Sequence, residues 1–511
     1  MKSKIVMSAL LATSALGWTT VAQAQEPAAP AAQDNDAETK VTQEAPQSNE
    51  DLSSRAAFME AQLEALQQQV NDLKSQLTKA TPTWKGAPQW DDKDAGFTFK
   101  PKGVMQFDGG FVSTPGPTRI GTIGGLNYNN LGWNSRARRI ILGAEGSLPG
   151  GFGYNIEFQL AQGTVDYEDV VLTYQRPGKP LKITIGNHYP LSSLETMTSS
   201  KFTSFLERAA FTDAFGYNRR LGISAAYLDP ADRYTFSAGI WNAEINEGTN
   251  FNRTGWQASV RATYSPTLGS TKLHLGANFQ HRVTQRDAQN VRYRSRPFTQ
   301  VTDQRFVDTN TIAAAGDDVL GLEFGAIMKS FHFAAEAQQV WVRSLNTTHV
   351  FPPNNSSGGA AAYNNNPSFQ SAYAEVGYYL TGETRGYKGG KWDRTKVLHP
   401  FDQGGWGAFQ VNARVDYLDL RDRVSGTSLA APDYVNGGRQ IGYQLSLIWN
   451  PMDYVRFMAQ YAHAAYTGGP RASTILPTCI SAGVPSGCSS APINERHFGV
   501  DTFAVRAQLE F

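Results

Sequence analysis

Residues 503–511 read Phe-Ala-Val-Arg-Ala-Gln-Leu-Glu-Phe. Phe503, Val505, Ala507, Leu509 and Phe511 share one face of an extended strand, and Ala504, Arg506, Gln508 and Glu510 share the other. Successive strand side chains point to opposite faces, so the segment is greasy on one side and mostly polar on the other. A soluble sheet shows the same alternation. What sets this strand apart is that the sequence ends on it, with an aromatic residue last.

The alternation recurs upstream. Tyr154, Ile156, Phe158 and Leu160 oppose Asn155, Glu157 and Gln159, and Leu273, Leu275, Ala277 and Phe279 oppose Lys272, His274, Asn278 and Gln280. Phe409, Val411, Ala413, Val415 and Tyr417 oppose Gln410, Asn412, Arg414 and Asp416. About sixteen such segments follow Phe99, beginning near residues 100, 136, 152, 167, 181, 219, 233, 255, 271, 318, 331, 370, 404, 438, 454 and 497. Short connections at Leu148-Pro149-Gly150, Arg176-Pro177-Gly178, Asp229-Pro230, Ser265-Pro266 and Asn450-Pro451 are separated by long polar loops at 113–135, 188–217, 284–316, 346–367 and 465–496. Tyr154, Trp241, Trp449 and Tyr454 stand near strand ends. Short turns on one side, long loops on the other and aromatic girdles are the pattern of outer-membrane barrels. The expected fold is all-β: a 16-stranded antiparallel transmembrane β-barrel over 97–511, with a short N-terminal α-helical coiled-coil segment. Such a barrel encloses an aqueous channel. An even strand number leaves both termini in the periplasm. Phe511 then resembles the C-terminal signal read by the barrel-assembly machinery, an expected partner beside outer-membrane lipid and lipopolysaccharide. Arg506 and Glu510 are expected to line the inner wall. One connection breaks the rule: 381–403 should be a short periplasmic turn and is long and basic.

The N-terminal end agrees. Lys2 and Lys4 precede an apolar run from Ile5 to Leu16, and Ala22-Gln23-Ala24 is a small-residue cleavage site, so 1–24 is expected to be a signal peptide. The whole chain carries a formal charge of +1, and losing two lysines brings it to −1. Any charge selectivity is therefore local. No later run supplies the ~20 apolar residues of a transmembrane helix, and the mean hydropathy is −0.39. Residues 25–50, rich in Ala, Pro, Gln and acids, are expected to be a disordered linker. Within 51–80, Leu52, Ala56, Met59, Leu63, Leu66, Val70, Leu73 and Leu77 alternate spacings of four and three, the seam of a periplasmic coiled coil. A single amphipathic helix lying on the barrel is the alternative. Pro82 ends the helix. Cys479 and Cys488 are expected to form a loop-closing disulfide in an exported chain.

Basic residues cluster in and beside the long loops. Arg292, Arg294 and Arg296 alternate, so an extended segment points them one way. Arg136, Arg138 and Arg139 open the second strand; Lys201 and Arg208 lie in 188–217, with Arg219 and Arg220 just beyond. Guanidinium forks match phosphate and carboxylate oxygens, and rings of Arg and Lys favour anions in pores. Solvated loop charge is the plainer alternative. Arg138 and Arg139 are adjacent, so a bulge or a loop conformation is required if both are to face a lumen.

Arg138-Arg139 followed by Tyr154-Asn155-Ile156-Glu157-Phe158, then Ile185-Gly186, Leu194-Glu195, Thr198-Ser199-Ser200-Lys201, Leu206-Glu207-Arg208, Arg292-Tyr293-Arg294-Ser295-Arg296-Pro297 and Leu380-Thr381-Gly382-Glu383 resemble the phosphate-selective porin O and P family, over roughly Phe99 to Phe511. The resemblance implies a trimeric channel whose third loop, here 188–217, folds inward. It implies that Arg138 and Arg139 belong to the constriction, and that Arg292, Arg294 and Arg296 belong to an arginine ladder. Glu168 stands where phosphate-binding members carry an acidic residue. Thr196 stands where they carry a lysine after the Leu-Glu pair, a place Lys201 would have to fill. The expected protein is an anion-preferring outer-membrane porin that passes phosphate or similar small anions. Its site residues are Arg138, Arg139, Glu168, Lys201, Arg208, Arg292, Arg294 and Arg296. The alternatives are a general or organic-solute porin, with Tyr189, Phe202, Phe205 and Phe211 stacking on sugars rather than wedging the loop, and a tether from the outer membrane to the cell wall through the coiled coil. His188, His274, His332 and His463 stand near no serine elbow and show no metal-ligand spacing, so no enzyme activity, metal or cofactor is expected, and no nucleic-acid partner.

Overall fold

The computed structural model describes residues 49–80 and 82–511, except 85, 93–94, 116–121, 124–125, 128–130, 217, 243–244, 246–252, 346–362, 364, 425–429, 432–433 and 477–488. The expected signal peptide 1–24, almost all of the linker 25–50, and Cys479 and Cys488 lie outside the described residues. Helix α1, Asn49–Ala80, runs 32 residues. Met59, Leu63, Leu66, Val70 and Leu73 of its seam are exposed.

Sixteen antiparallel strands close into one barrel. They are β1 Phe97–Val112, β2 Gly132–Leu148, β3 Phe152–Gln159, β4 Asp166–Gln175, β5 Leu181–His188, β6 Arg220–Leu228, β7 Tyr234–Asn242, β8 Trp256–Tyr264, β9 Thr271–Val283, β10 Ile312–Met328, β11 Phe331–Ser344, β12 Ser368–Tyr379, β13 Ala408–Asp422, β14 Tyr434–Met452, β15 Val455–Thr467 and β16 His497–Glu510. Each pairs with its sequence neighbour, and β16 pairs with β1 through Arg506↔Asp108 and Leu509↔Met105. Closure leaves no unpaired edge.

The terminal strand has inverted burial. Phe503, Val505 and Leu509 are 45%, 44% and 41% exposed, whereas Arg506, Gln508 and Glu510 are 2%, 3% and 4% exposed. A soluble sheet hides its apolar face; a membrane barrel shows that face to lipid and turns the polar one inward. The barrel is low on one side, where β3 to β8 have eight to ten residues, and tall on the other, where β10 has 17 and β14 has 19.

The 188–217 loop folds inward and lies against the tall side. Its Leu194, Phe211 and Phe215 join Tyr293, Phe298 and Phe306 of the following long loop and Tyr373 and Tyr466 of the wall in a hydrophobic cluster inside the barrel. Each fully buried phenylalanine contributes roughly 1.5–3 kcal/mol. Wall side chains satisfy the loop's backbone. Glu336 accepts from Glu195 N (2.7 Å) and Asp416 from Ala210 N (3.0 Å); Gln460 accepts from Leu206 N (2.8 Å), and Arg506 donates to Leu206 O (2.6 Å). A buried backbone group left unpaired is costly, so these contacts specify the loop's path.

The exceptional connection after β12 also turns inward. Gly386–Lys388 pairs with Lys391–Asp393 in a small hairpin, and Trp392 is 1% exposed. Tyr387 Oη meets His274 Nδ1 at 2.7 Å, Arg261 donates to Gly390 O at 2.7 Å, and Arg385 donates to Phe202 O of the inward loop. Gly390 has φ +73°, and a Cβ there would stand 2.7 Å from Thr263 Oγ1, so only glycine fits this tip. Replacing 386–393 with a two-residue turn is expected to raise single-channel KCl conductance about twofold, because the hairpin fills lumen cross-section. An unchanged conductance would show that the ion path bypasses it.

Candidate functional site

Two cavities lie beside the inward loop. One, of about 1160 Å3, is lined by β1 to β4, the inward loop and the returning strand of the hairpin, Lys391–Asp393. The other, of about 170 Å3, is roofed by Ser295 to Gln300 of the next long loop. Arg138, Arg139, Tyr189, Thr196, Arg208 and Asn218 line both, so these side chains form the boundary the two cavities share.

Backbone irregularity brings the two adjacent arginines here. The register of β1 against β2 slips between Gln106↔Arg139 and Phe107↔Ala137, leaving Arg138 unpaired in a bulge. That is the irregularity required for neighbouring side chains to share a lumen. A second slip, between Ile156↔Val170 and Phe158↔Tyr167, sets Glu168 and Asp169 together, and both pair with Arg219.

The eight expected site residues separate by what they touch. Arg138 donates Nε and Nη2 to the two oxygens of Glu207 at 2.8 and 3.0 Å. Arg139 donates to Gln106 Oε1 at 2.7 Å. Arg208 donates to the Glu195 and Thr198 carbonyls at 2.9 and 2.7 Å. Among the described residues, neither Arg139 nor Arg208 contacts a carboxylate. Lys201 lines the larger cavity and lies 3.3 Å from Glu510. Glu168 is there too, paired with Arg219.

The other arginines do not gather in a row. Arg292 grips Asp308 at 2.8 and 2.5 Å and lines neither cavity. Arg294 is exposed. Arg296 lines the smaller cavity, bound to Asp213 at 2.9 Å and Asp303 at 3.2 Å, and Arg136 shares Asp303 at 3.0 Å. This outer vestibule is an alternation of charges that ties the second inward-reaching loop to the first.

Tyr189 sits with Arg219 at 4.3 Å and Arg208 at 6.0 Å from its ring centre, a cation–π arrangement. Burial raises its hydroxyl pKa, but Arg219 and Arg208 outweigh that and lower it. Burial also opposes ionisation of Glu207, yet Arg138 and Arg506 hold it well below the ordinary carboxylate range. Of the loop aromatics, Phe205 and Phe211 are fully buried wedges, whereas Tyr189 and Phe202 line the larger cavity.

Sequence reading missed two participants and gave a third a lesser place. Glu207 was visible between Leu206 and Arg208 but had no assigned partner. Gln106, which orients Arg139 and is held by Gln508 at 2.7 Å, carries no sequence signal. Arg506 was expected to line the wall; it is buried, grips Asp108 at 2.6 and 2.7 Å and reaches Glu207 at 2.9 Å.

Residues 124–474 match the family described as phosphate-selective porin O and P. An uncharacterized protein of Caulobacter vibrioides is 38% identical over 397 residues, covering 76% of this chain and 72% of that protein. Porin O of Pseudomonas aeruginosa is 25% identical over 404 residues, 74% of this chain and 86% of that one. Among solved structures, OmpT, an outer membrane protein of Vibrio cholerae, aligns with a TM-score of 0.45 at 10% identity, covering 81% of this chain and 98% of that one. With the closed barrel, its apolar outer face and its lumen already in place, the match over residues 124–474 leads to one conclusion: this chain belongs to the phosphate-selective porin O and P family and is an outer-membrane porin.

Proposed function

We propose that this porin forms an anion-preferring channel for phosphate and similar small oxyanions. The observation that carries the reading is the boundary the two cavities share, taken as the passage for ions. Three guanidinium groups bound it, and two of them, Arg139 and Arg208, touch no carboxylate among the described residues. Tyr189, Thr196 and Asn218 complete the ring with neutral polar groups. Fixed guanidinium charge in a partly dehydrated passage attracts anions and repels cations. Thr196 carries no charge, and its hydroxyl accepts a hydrogen bond from Ser193 at 3.0 Å. Phosphate is therefore held weakly here and passes.

Planar-bilayer recordings under a KCl gradient test the reading: chloride permeates over potassium, and a cation-selective channel would refute it. Thr196→Lys adds a third uncompensated cation and lowers the half-blocking phosphate concentration about tenfold. An unchanged block would remove position 196 from the ion path.

Helix α1 supports a second role. Its exposed seam of Met59, Leu63, Leu66, Val70 and Leu73 suits parallel self-association in the periplasm within a homotrimer, and Arg55 and Glu60 fall at attracting flank positions of neighbouring helices. Deleting 51–80 separates the roles: conductance persists, and envelope integrity falls if the segment also tethers the membrane.

A further inference from the structure

We propose that Glu207 is a resident counter-anion: its carboxylate occupies the Arg138 fork that a passing oxyanion would otherwise take, and so limits how tightly the channel holds phosphate. This rests on the anion-preferring reading above and names the residue that tunes it.

The geometry is that of a bound ligand. Arg138 offers Nε and Nη2, the edge that matches a carboxylate or a phosphate in two parallel hydrogen bonds, and Glu207 fills it at 2.8 and 3.0 Å. The pair stands at the passage: Arg138 lines both cavities and Glu207 lines the smaller one. Glu207 is also fixed from behind. Arg506 donates Nη2 to Glu207 Oε1 at 2.9 Å while both its Nε and Nη2 hold Asp108. The carboxylate thus has a fixed position next to the permeation path, 14% exposed, on a loop whose backbone the wall clamps at Leu206 before it and at Ala210 after it.

Charge counting shows the consequence. Arg138, Arg139, Arg208 and Arg506 carry four positive charges, and Glu207 and Asp108 carry two negative charges, so the cluster is left with two. An oxyanion meets Arg139 and Arg208 directly and finds Arg138 already satisfied. It must displace Glu207, or do without the third guanidinium. Displacement leaves Glu207 facing the newcomer at close range, and like charges there repel. A channel built this way attracts anions without trapping them.

Glutamine at 207 is isosteric and keeps one acceptor for Arg138 Nε and Arg506 Nη2, while its amide nitrogen faces Arg138 Nη2 and frees that half of the fork; the Leu206 and Ala210 backbone contacts still hold the loop. The test records KCl conductance, the chloride-over-potassium permeability ratio, and block by inorganic phosphate in purified wild-type, Glu207→Gln and Glu207→Asp channels. The expected result is a half-blocking phosphate concentration about tenfold lower in Glu207→Gln and about threefold lower in Glu207→Asp, whose carboxylate retreats by one methylene. The permeability ratio also rises in Glu207→Gln, because the passage gains net positive charge. Two outcomes overturn the proposal. One is an unchanged half-blocking concentration in whichever variant assembles. The other is a rise in KCl conductance beyond about twofold in both variants, which makes Glu207 only a staple for the loop. Failure of the underlying reading is separate, because it shows in the wild-type permeability ratio alone.

Discussion

Arg139→Gln is expected to lower the chloride-over-potassium permeability ratio about tenfold, the largest effect of any single arginine. A unit charge ~5 Å from a permeating ion is worth roughly 3 kcal/mol at an effective dielectric of ~20. Mobile ions in the lumen screen part of that. About 1.4 kcal/mol remaining corresponds to a factor of ten. Arg139 is singled out because its contact is the neutral Gln106 amide at 2.7 Å and because it lines both cavities. Arg292 is the control. It is bidentate to Asp308 and lines neither cavity, so Arg292→Gln leaves the ratio within about twofold. Equal effects at 139 and 292 would mean that diffuse loop charge, rather than the passage, sets selectivity.

Arg414→Met is expected to cost roughly 3–5 kcal/mol of barrel stability and to loosen the inward loop. Arg414 is buried between Glu195 of that loop at 2.9 Å and Glu375 of β12 at 2.5 Å, and its guanidinium lies over the Phe205 ring at 4.3 Å. Methionine keeps much of the volume and none of the charge, so the buried Glu195 and Glu375 carboxylates lose the guanidinium they share. The same contact holds the loop near Leu194 and Ala209, two places from which Thr196 and Arg208 are presented to the passage. The variant should therefore unfold at lower denaturant and show a larger, noisier KCl conductance than wild type. A variant with unchanged stability and quiet single-channel traces would sink the claim that this ion pair positions the loop.

Much of the architecture was legible along the chain because strand patterning is local. A period of two depends only on residues two apart, so all sixteen expected strand starts fall within six residues of those observed, the largest difference being Ile312 against 318. Adjacency required a bulge or a loop conformation if Arg138 and Arg139 were both to face the lumen, and the register slip at Gln106↔Arg139 is a bulge. The length of 381–403 marked it as exceptional without indicating that Trp392 would pack beside Gly325 and His332 inside the barrel.

The charge arithmetic of the lumen was not legible. Arg292, Arg294 and Arg296 alternate in sequence and look equivalent, yet Asp308 takes the first, the second is exposed, and Asp213 and Asp303 take the third. Asp308 and Asp303 stand further along the same loop, but Asp213 comes from the inward loop, and Glu207 reaches Arg506 across 299 residues and Glu195 reaches Arg414 across 219. The terminal strand shows the division most plainly. Its sequence by itself determined that Arg506 faces inward, because alternate side chains must part between lipid and lumen. Only the tertiary structure decided that Arg506 would be buried beneath the inward loop and hold Glu207, because an ion pair depends on distance through space, and barrel closure sets that distance.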